Sequence, residues 1–545
     1  VPPSDQDTPS QAPRLRDRLY QSFLYQWTLG TRVPNTLEQL PPDPWLGDPA
    51  RGQAILNGAL PLLGGDAVTL TPGPWPTGGG DRSAALACHQ FGWLRDLRAV
   101  GTGQARETAR GLIEIWVTHH GRYDSFAWRP EVVGERLANW LMSYEYLVSG
   151  ASAEFPGLLM ACIGRQVRHL RRVAPRAAVG RGAFSAAKGL ILTGLSLPKK
   201  RSFETGLTLL EEQAERQILA DGGHLERSPE ALFEVLKALV EIRSVLVAFQ
   251  SEVPSALQRA IDRAAPAVRG YLLGDGTLAR FNGGTEGDAD EIAALLAQAD
   301  VRGRPLAHAP HSGFHRLYAG RTCVIMDAGP PPPPGNDHTA HAGTLSFEMS
   351  AGKHRLVVNC GAHPHPENAW NRALRATAAH STLVVEDTNS SELIAAGGLG
   401  RRRPDTVPSR HHQQDRCILV EASHDGYEPI FELNHHRMLY LSGDGDDMRG
   451  EDLLEGPGGE RFALRFHLHP RVQVSLVEGG QAALLKVPRG AGWRFLADGG
   501  PVSLEGSLYM DRRGETHNSH QIVVAGALDG NGLRVKWRLH KIGGK

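Results

Sequence analysis

The chain has 545 residues, with 59 basic and 59 acidic side chains, a formal net charge of zero and a hydrophobic share of 41%. That length predicts two or more domains with well-filled cores, and the balanced charge argues against a protein built to grip nucleic acid, although a local basic cleft for an acidic polymer stays compatible with it. The five cysteines (Cys88, Cys162, Cys323, Cys360 and Cys417) form no CxxC pair and are too scattered for a disulfide framework or a thiolate zinc finger.

The chain opens on VPPSDQDTPS, with no methionine and no apolar signal core, so a leader was either removed or never present. Helical text follows. HQFGWLRDLRAV continues into QARETARGLIEIWVTHH, and EVVGERLANWLMSYEYLV puts Val133, Leu137, Trp140, Leu141 and Tyr144 on one face at spacings of three and four. The basic run RQVRHLRRVAPR (165–176) reads as a solvated helix face. DGGHLERSP is an interhelical turn that carries His224, Glu226 and Arg227. After it, Ser228 is a natural N-cap and Pro229 fits the first helical position of PEALFEVLKALVEIRSVLVAF. About ten such helices fit between residues 15 and 300, and helices with one apolar stripe each stack as a bundle, solenoid or toroid. No apolar run approaches the roughly 18–20 residues that span a bilayer.

The pattern changes between about residues 300 and 312. HRLYAGRTCVIMDAG, GTLSFEMSAG, HRLVVNCG, STLVVED, CILVEAS, RVQVSLVEGGQAALLKV and LRVKWRLHKI are β-rich runs punctuated by Gly, Pro or Asp, which predicts a large antiparallel sandwich. GPPPPPG (329–335) has strand-like text on both sides. It reads as a stiff polyproline loop delivering His338 and His341 to the start of a strand. Those two histidines are open to three readings: metal ligands, catalysts or ordinary loop groups. The acidic SGDGDDMRGED has Met448 where a calcium loop needs an oxygen ligand, so it reads as a hairpin turn.

AHAGTLSFEMSAGKHRLVVNCGA, followed by NRALRATAAHSTLVVED, resembles the heparinase II/III-like polysaccharide lyases. The helical FGWLRDL, AWRPEVVGERLANWL and DGGHLERSP resemble them too, so the likeness runs from about residue 80 to 480. It implies a multidomain α and β fold, with an incomplete N-terminal α/α toroid over 15–305 and a C-terminal antiparallel β-sandwich over 306–545. It also implies a bacterial-type enzyme that cleaves a uronic-acid-containing acidic glycan by β-elimination in a cleft between the two. Such chemistry needs a group to neutralise the carboxylate, a base for the C5 proton and an acid for the departing O4.

On that resemblance His224 handles the carboxylate or shuttles a proton. Tyr271 is the acid/base, with Tyr318 in reserve, and His338 is its partner. Glu226, Arg227, Asn282, Arg372 and Arg375 are the expected substrate-binding residues. His341, Asn359 and His380 match the positions of a structural divalent metal, zinc by type. Cys360 is a softer ligand next door to Asn359, but adjacent strand residues face opposite sides. The chain departs from the family pattern in four places. Gly343 and Asn359 stand where aspartates are usual, Ala231 and Leu232 replace a Tyr-His pair, and the catalytic histidine position falls on Thr339.

Two other functions fit the same residues. One is a non-catalytic glycan-binding or envelope-scaffold protein, which the departures favour. The other is a glycoside hydrolase using Glu226, Glu286 or Asp288. The resemblance implies the cell envelope or periplasm, and a chain that never had a leader implies the cytoplasm. The glycan, the occupancy of the metal site and the oligomeric state stay open.

Overall fold

The computed structural model describes residues 15–30, 37, 39–62, 67–70, 75–77, 82–197, 199–366, 368–395, 397–488, 490–530 and 532–543. The opening VPPSDQDTPS lies outside them. The chain forms two compact units, one of residues 1–217 with 234–261 and the other of residues 218–233 with 262–545.

Among its described residues the first unit is helical apart from a small antiparallel pair, β1 (Ala59–Pro61) and β2 (Ala67–Thr69). Among the described residues up to Ala299 the whole chain has fourteen helices where about ten were expected, because several apolar runs break in two. Phe91 at φ 62° separates Arg82–Gln90 from Leu94–Val100, and the left-handed Gly101 ends the latter. Thr102 then caps Gly103–His120 by accepting the Ala105 N–H. The core packs Trp116 edge-on against Trp140 at 5.4 Å, with the fully buried Arg136 guanidinium 4.2 Å from the Trp116 ring. Arg136 donates to the His89 and Ala127 carbonyls and to Gln166 at 2.7–2.9 Å, so each nitrogen of the buried guanidinium has an acceptor. The basic run on Phe155–Ala177 does more than face solvent. Arg165 binds the Gln26 side chain, Arg168 the Thr28 and Gly30 carbonyls, and Arg172 both Thr28 oxygens.

The second unit carries the predicted sandwich, with strands beginning at His308. One sheet holds β3 (His308–Ala309), β4 (Phe314–Ala319), β5 (Thr322–Asp327), β6 (Phe347–Ala351), β7 (His354–Val358), β8 (Leu383–Val385), β13 (Arg461–Leu468), β17 (Val502–Met510) and β18 (Thr516–Ala527). Its order is β17-β18-β13-β7-β6-β5-β4-β3, with β8 also on β13. The other holds β9 (Ser409–Gln414), β10 (Cys417–His424), β11 (Asn434–Leu441), β12 (Asp447–Glu455), β14 (Gln473–Val477), β15 (Ala482–Lys486), β16 (Gly492–Ala497) and β19 (Leu533–Ile542). Its order is β14-β15-β16-β19-β12-β11-β10-β9. The acidic run is the expected turn, joining β11 to β12.

Alternation of side chains builds the core. Phe347 stacks on Trp537 at 5.6 Å, and Phe466 meets the same indole edge-on at 4.9 Å. The opposite face of β6 is covered by residues 271–286. Ser350 accepts the Gly274 N–H, and the fully buried Glu348 pairs with both Arg280 (3.3 Å) and Arg355 (3.2 Å). No helix among the described residues is long and apolar enough to cross a membrane.

Candidate functional site

Three loops of the second unit meet: residues 221–230, 281–288 and 336–345. Asn282 joins them from the left-handed region (φ 49°), which asparagine tolerates better than most residues. Its amide donates to the Arg227 carbonyl at 2.9 Å, its Oδ1 accepts the His341 N–H at 3.2 Å, and its carbonyl accepts the Thr339 hydroxyl at 3.3 Å. Gly283 (φ 78°) donates its N–H to His341 Nε2 at 3.0 Å. A Cβ at Gly283 would stand 2.5 Å from that of Thr339, so only glycine permits this approach. Glu230 adds a second tie, accepting the Thr285 N–H and hydroxyl at 3.0 and 2.7 Å.

The arginines expected to hold substrate hold backbone instead. Buried Arg227 donates to the Ser312 carbonyl at 2.7 Å and to the Gly329 and Pro330 carbonyls at 3.2 and 2.7 Å, and it pairs with Asp327. It thereby anchors the start of the proline loop. Buried Arg375 donates to the Ala340 and Gly398 carbonyls at 2.8 and 2.5 Å. Asn282 has both ends of its amide occupied, as above. A guanidinium or amide so occupied has few groups left for a glycan carboxylate. Arg372 is exposed and Glu226 half-buried.

Tyr271 differs most from its expected role. It is buried, its ring meets Phe314 edge-on at 5.0 Å, and its hydroxyl donates to Ser312 Oγ at 3.4 Å. Asp221 fixes that serine by accepting its N–H and hydroxyl at 2.7 and 3.1 Å. Burial pushes the phenol pKa up, the opposite of what an acid/base tyrosine needs. Tyr318 is exposed on β4, with the Arg316 guanidinium 4.9 Å from its ring.

His224 is buried beside an isolated bridge to Ile218, and its Nδ1 accepts the Glu226 N–H at 3.2 Å. Its neutral form therefore carries the proton on Nε2. His338 is exposed, and its carbonyl accepts the Gly398 N–H at 3.1 Å. Neighbouring Asp337 accepts from Leu399 N and from Arg403, so His338 stands on a well-held loop. The suspected hydrolytic acids have structural work. Glu286 accepts the Tyr509 hydroxyl at 2.7 Å, while Asp288 caps the helix Ala289–Ala299 and pairs with Arg512.

His341 and His380 do meet, as a linear relay. The Gly283 N–H donates to His341 Nε2, His341 Nδ1–H donates to His380 Nε2 at 2.9 Å, and His380 Nδ1–H donates to the Ala376 carbonyl at 2.8 Å. Burial, helped by the neighbouring His380 and Arg375, holds His341 well below its usual pKa. Burial likewise holds His380 down at about 4, so both rings are neutral.

Residues 301–538 match the family described as heparinase II/III-like, C-terminal, and residues 116–300 match the heparinase II/III N-terminus. The chain belongs to the heparinase II/III-like family. It is similar to heparinase III (TM-score 0.72, 13% identity, covering 97% of this chain and 89% of that one). It is also similar to the heparan sulfate lyase HepC of Pedobacter heparinus, in a mutant form (0.63, 16%, 96% and 88%). A third likeness is to the Streptomyces coelicolor A3 chondroitin AC lyase in complex with chondroitin sulphate (0.56, 12%, 96% and 80%). The fold is therefore theirs, an α/α toroid with an antiparallel β-sandwich. A curated relative, FtsZ-localized protein C of Caulobacter vibrioides, is 35% identical over 532 residues, 94% of this chain and 91% of that protein.

The metal that the heparinase II/III-like resemblance implies does not fit the residues present. Each imidazole nitrogen of His341 and His380 already has a hydrogen-bond partner. Asn359 turns its amide to the Arg280 carbonyl (3.2 Å) and accepts the Ser381 N–H (3.0 Å). An amide is also a weaker zinc ligand than a carboxylate. Cys360 faces the other way, toward His467 and Ser507, as strand alternation required. Gly343 completes the difference: a Cβ there would stand 2.7 Å from His380 Cδ2 and 3.0 Å from Nε2. Gly343→Asp, which writes the usual family residue back in, is expected to push His380 off His341 and to cost about 1–3 kcal/mol. Urea unfolding of the variant against the parent checks this, and an unchanged midpoint would contradict the relay.

Two groups escaped sequence reasoning. Glu348 lies in the quoted SFEMS, where an acid flanked by Phe347 and Met349 was a readable sign of a buried charge. Its partners Arg280 and Arg355 are 68 and 7 residues away, so the network itself was not readable. The cluster of His308, His315 and His411 left no sequence sign, because its members come from two sheets.

Proposed function

We propose that this chain is a non-catalytic scaffold on the lyase fold, working alongside the cell-division protein FtsZ. The observation that carries this reading is the loss of the titratable pair. Where the resemblance places Tyr-His, the chain has Ala231 and Leu232, both buried. No proton can be moved from either position. Tyr271 does not substitute, since its hydroxyl is turned to Ser312 and its pKa is raised. Arg227, Asn282 and Arg375 organise loops rather than offer a carboxylate site. The FtsZ association rests on the name of the relative that is 35% identical over nearly the whole chain.

Incubation with a panel of uronate polymers is the first test. The expected result is no rise in the ultraviolet absorbance of an unsaturated uronate product. Co-sedimentation with FtsZ polymers is the second, and the chain is expected in the pellet only when polymers are present. Product formation that disappears in His338→Ala would overturn the reading.

That outcome would establish a second reading, cleavage of an acidic glycan by β-elimination. One observation favours it: His338 is exposed on a loop whose flanks are fixed by Asn282, Arg375 and Arg403. A positioned, solvent-reachable imidazole is what proton abstraction requires. His224 would then be the carboxylate partner.

A further inference from the structure

At the far edge of each sheet stands a group of histidines that the family chemistry does not use. His308 on β3 and His315 on β4 are direct cross-strand partners. His411 comes from β9, the terminal strand of the other sheet, on the same side of that strand as Ser409. The three rings are parallel to within 8°, with His308 stacked on His315 at 4.4 Å and His411 side by side with His315 at 5.6 Å.

We propose that His308, His315 and His411 bind one borderline-soft divalent transition-metal ion, of the zinc or cobalt class, that ties the edges of the two sheets together. Three observations carry this. First, His315 Nδ1 and His411 Nδ1 face each other at 3.4 Å. That exceeds the about 2.7–3.2 Å of a good hydrogen bond. It matches the spacing, roughly 3.3–3.4 Å, between two nitrogens on a tetrahedral ion with bonds of about 2.0–2.1 Å. The His341–His380 pair, at 2.9 Å, is a hydrogen bond by the same measure.

Second, His315 Nε2 lies 2.9 Å from Ser409 Oγ. Donation from Nε2 leaves the Nδ1 lone pair free toward His411, the arrangement by which an outer partner orients a metal-binding imidazole. Third, His411 Nε2 is buried with no hydrogen-bond partner. Whichever tautomer His411 takes in a dry site, it keeps either an unmet nitrogen or a lone pair facing a lone pair. An ion removes the lone-pair conflict at Nδ1. His308 is half-buried and stacked on His315 at 4.4 Å, and its ring must turn out of that stack to present a nitrogen as the third ligand. Solvent supplies the fourth. Among the described residues the hairpin group Asp511, Glu515 and His517 already has its ligand atoms within 4.8 Å of one another, a convergence the three histidines reach only once the His308 ring turns. Asp511 there is occupied by the Arg513 and Glu515 N–H groups and by His517, so it offers less.

The test titrates cobalt(II) into the EDTA-treated full chain and follows the visible absorption of tetrahedral cobalt. One equivalent is expected to bind. His308→Ala and His411→Gln should each weaken binding at least about tenfold, and Ser409→Ala by roughly 10–100-fold. His412→Ala, on the neighbouring exposed residue, should leave it unchanged. Unfolding midpoints in EDTA establish that each variant is folded, and His308→Ala removes only a half-buried ring. Absence of stoichiometric uptake, or uptake indifferent to His308→Ala, would overturn the site. Uptake abolished by Glu515→Gln alone would move the ion to the hairpin and overturn it as well.

Discussion

Glu348→Ala is expected to destabilise the second unit by about 3–5 kcal/mol, the cost of stranding buried charges. Glu348 accepts four hydrogen bonds at 2.9–3.3 Å, from Arg280 N and Nε, Arg355 Nη1 and Asn359 N. Both arginines are buried. Arg355 would keep Asp275 at 2.7 Å, whereas Arg280 would keep only Glu286 at 3.9 Å as an anion. Arg280 also holds the Met510 carbonyl at 3.1 Å and lies 3.9 Å from the Tyr509 ring, so its loss of anchorage would spread into β17. The effect should therefore appear as earlier denaturant unfolding of the sandwich, read by near-ultraviolet circular dichroism. A variant within about 1 kcal/mol of the parent would show that water or relaxation satisfies the arginines.

Acid should weaken the sandwich in two stages. Asp452, wholly buried, accepts from Arg437 and His435 at 2.7 and 2.8 Å and from the Trp537 indole at 2.9 Å. Burial alone would raise its pKa, but Arg437 and His435 outweigh burial and hold it at about 2. A folded-state pKa below the unfolded one means the stabilisation is present above the unfolded value and is lost as pH falls from about 4 through about 2. Its size is about 2 kcal/mol, from a fall of 3.8 to about 2. The buried histidines act earlier. His424 and His435 are held below their usual pKa, first by burial, so the unfolded chain takes up protons that the folded chain refuses once pH drops below about 6.5. Stability is thus expected to fall from about pH 6.5 downward and again below about 4. Asp452→Asn should be destabilised at neutral pH, with the gap from the parent closing between about pH 4 and 2. A gap constant over that range would remove Asp452 from the acid response.

The strands show how far local text reaches. GTLSFEMSAG and CILVEAS read as strands because alternation and β-branching are local properties, and both are strands here. Ser228 and Pro229 announced the start of Pro229–Ala248 for the same reason. Helix breaks were less readable. Phe91 adopts a positive φ that no glycine or proline advertises, so one long apolar run became two helices.

The candidate site divides along the same line. Which residue types stand in the motif was a property of the sequence: His338 and His341 after the proline loop, Gly343, Asn359 and the Ala231–Leu232 replacement. What each group does with its hydrogen bonds depended on partners far along the chain. Arg227 meets carbonyls about a hundred positions away, Tyr271 a serine 41 positions on, and Asn359 the carbonyl of Arg280. A side chain's pKa and its freedom to touch a substrate follow from burial and from those partners. The sequence by itself determined the likeness to the family, the change from helical to β-rich text, and the presence of Ala231 and Leu232 at the helix opening. Only the tertiary structure decided that Tyr271 is sealed, that Arg227 and Arg375 brace loops, and that His341 and His380 close a hydrogen-bonded relay, because those facts exist only once distant segments are packed together.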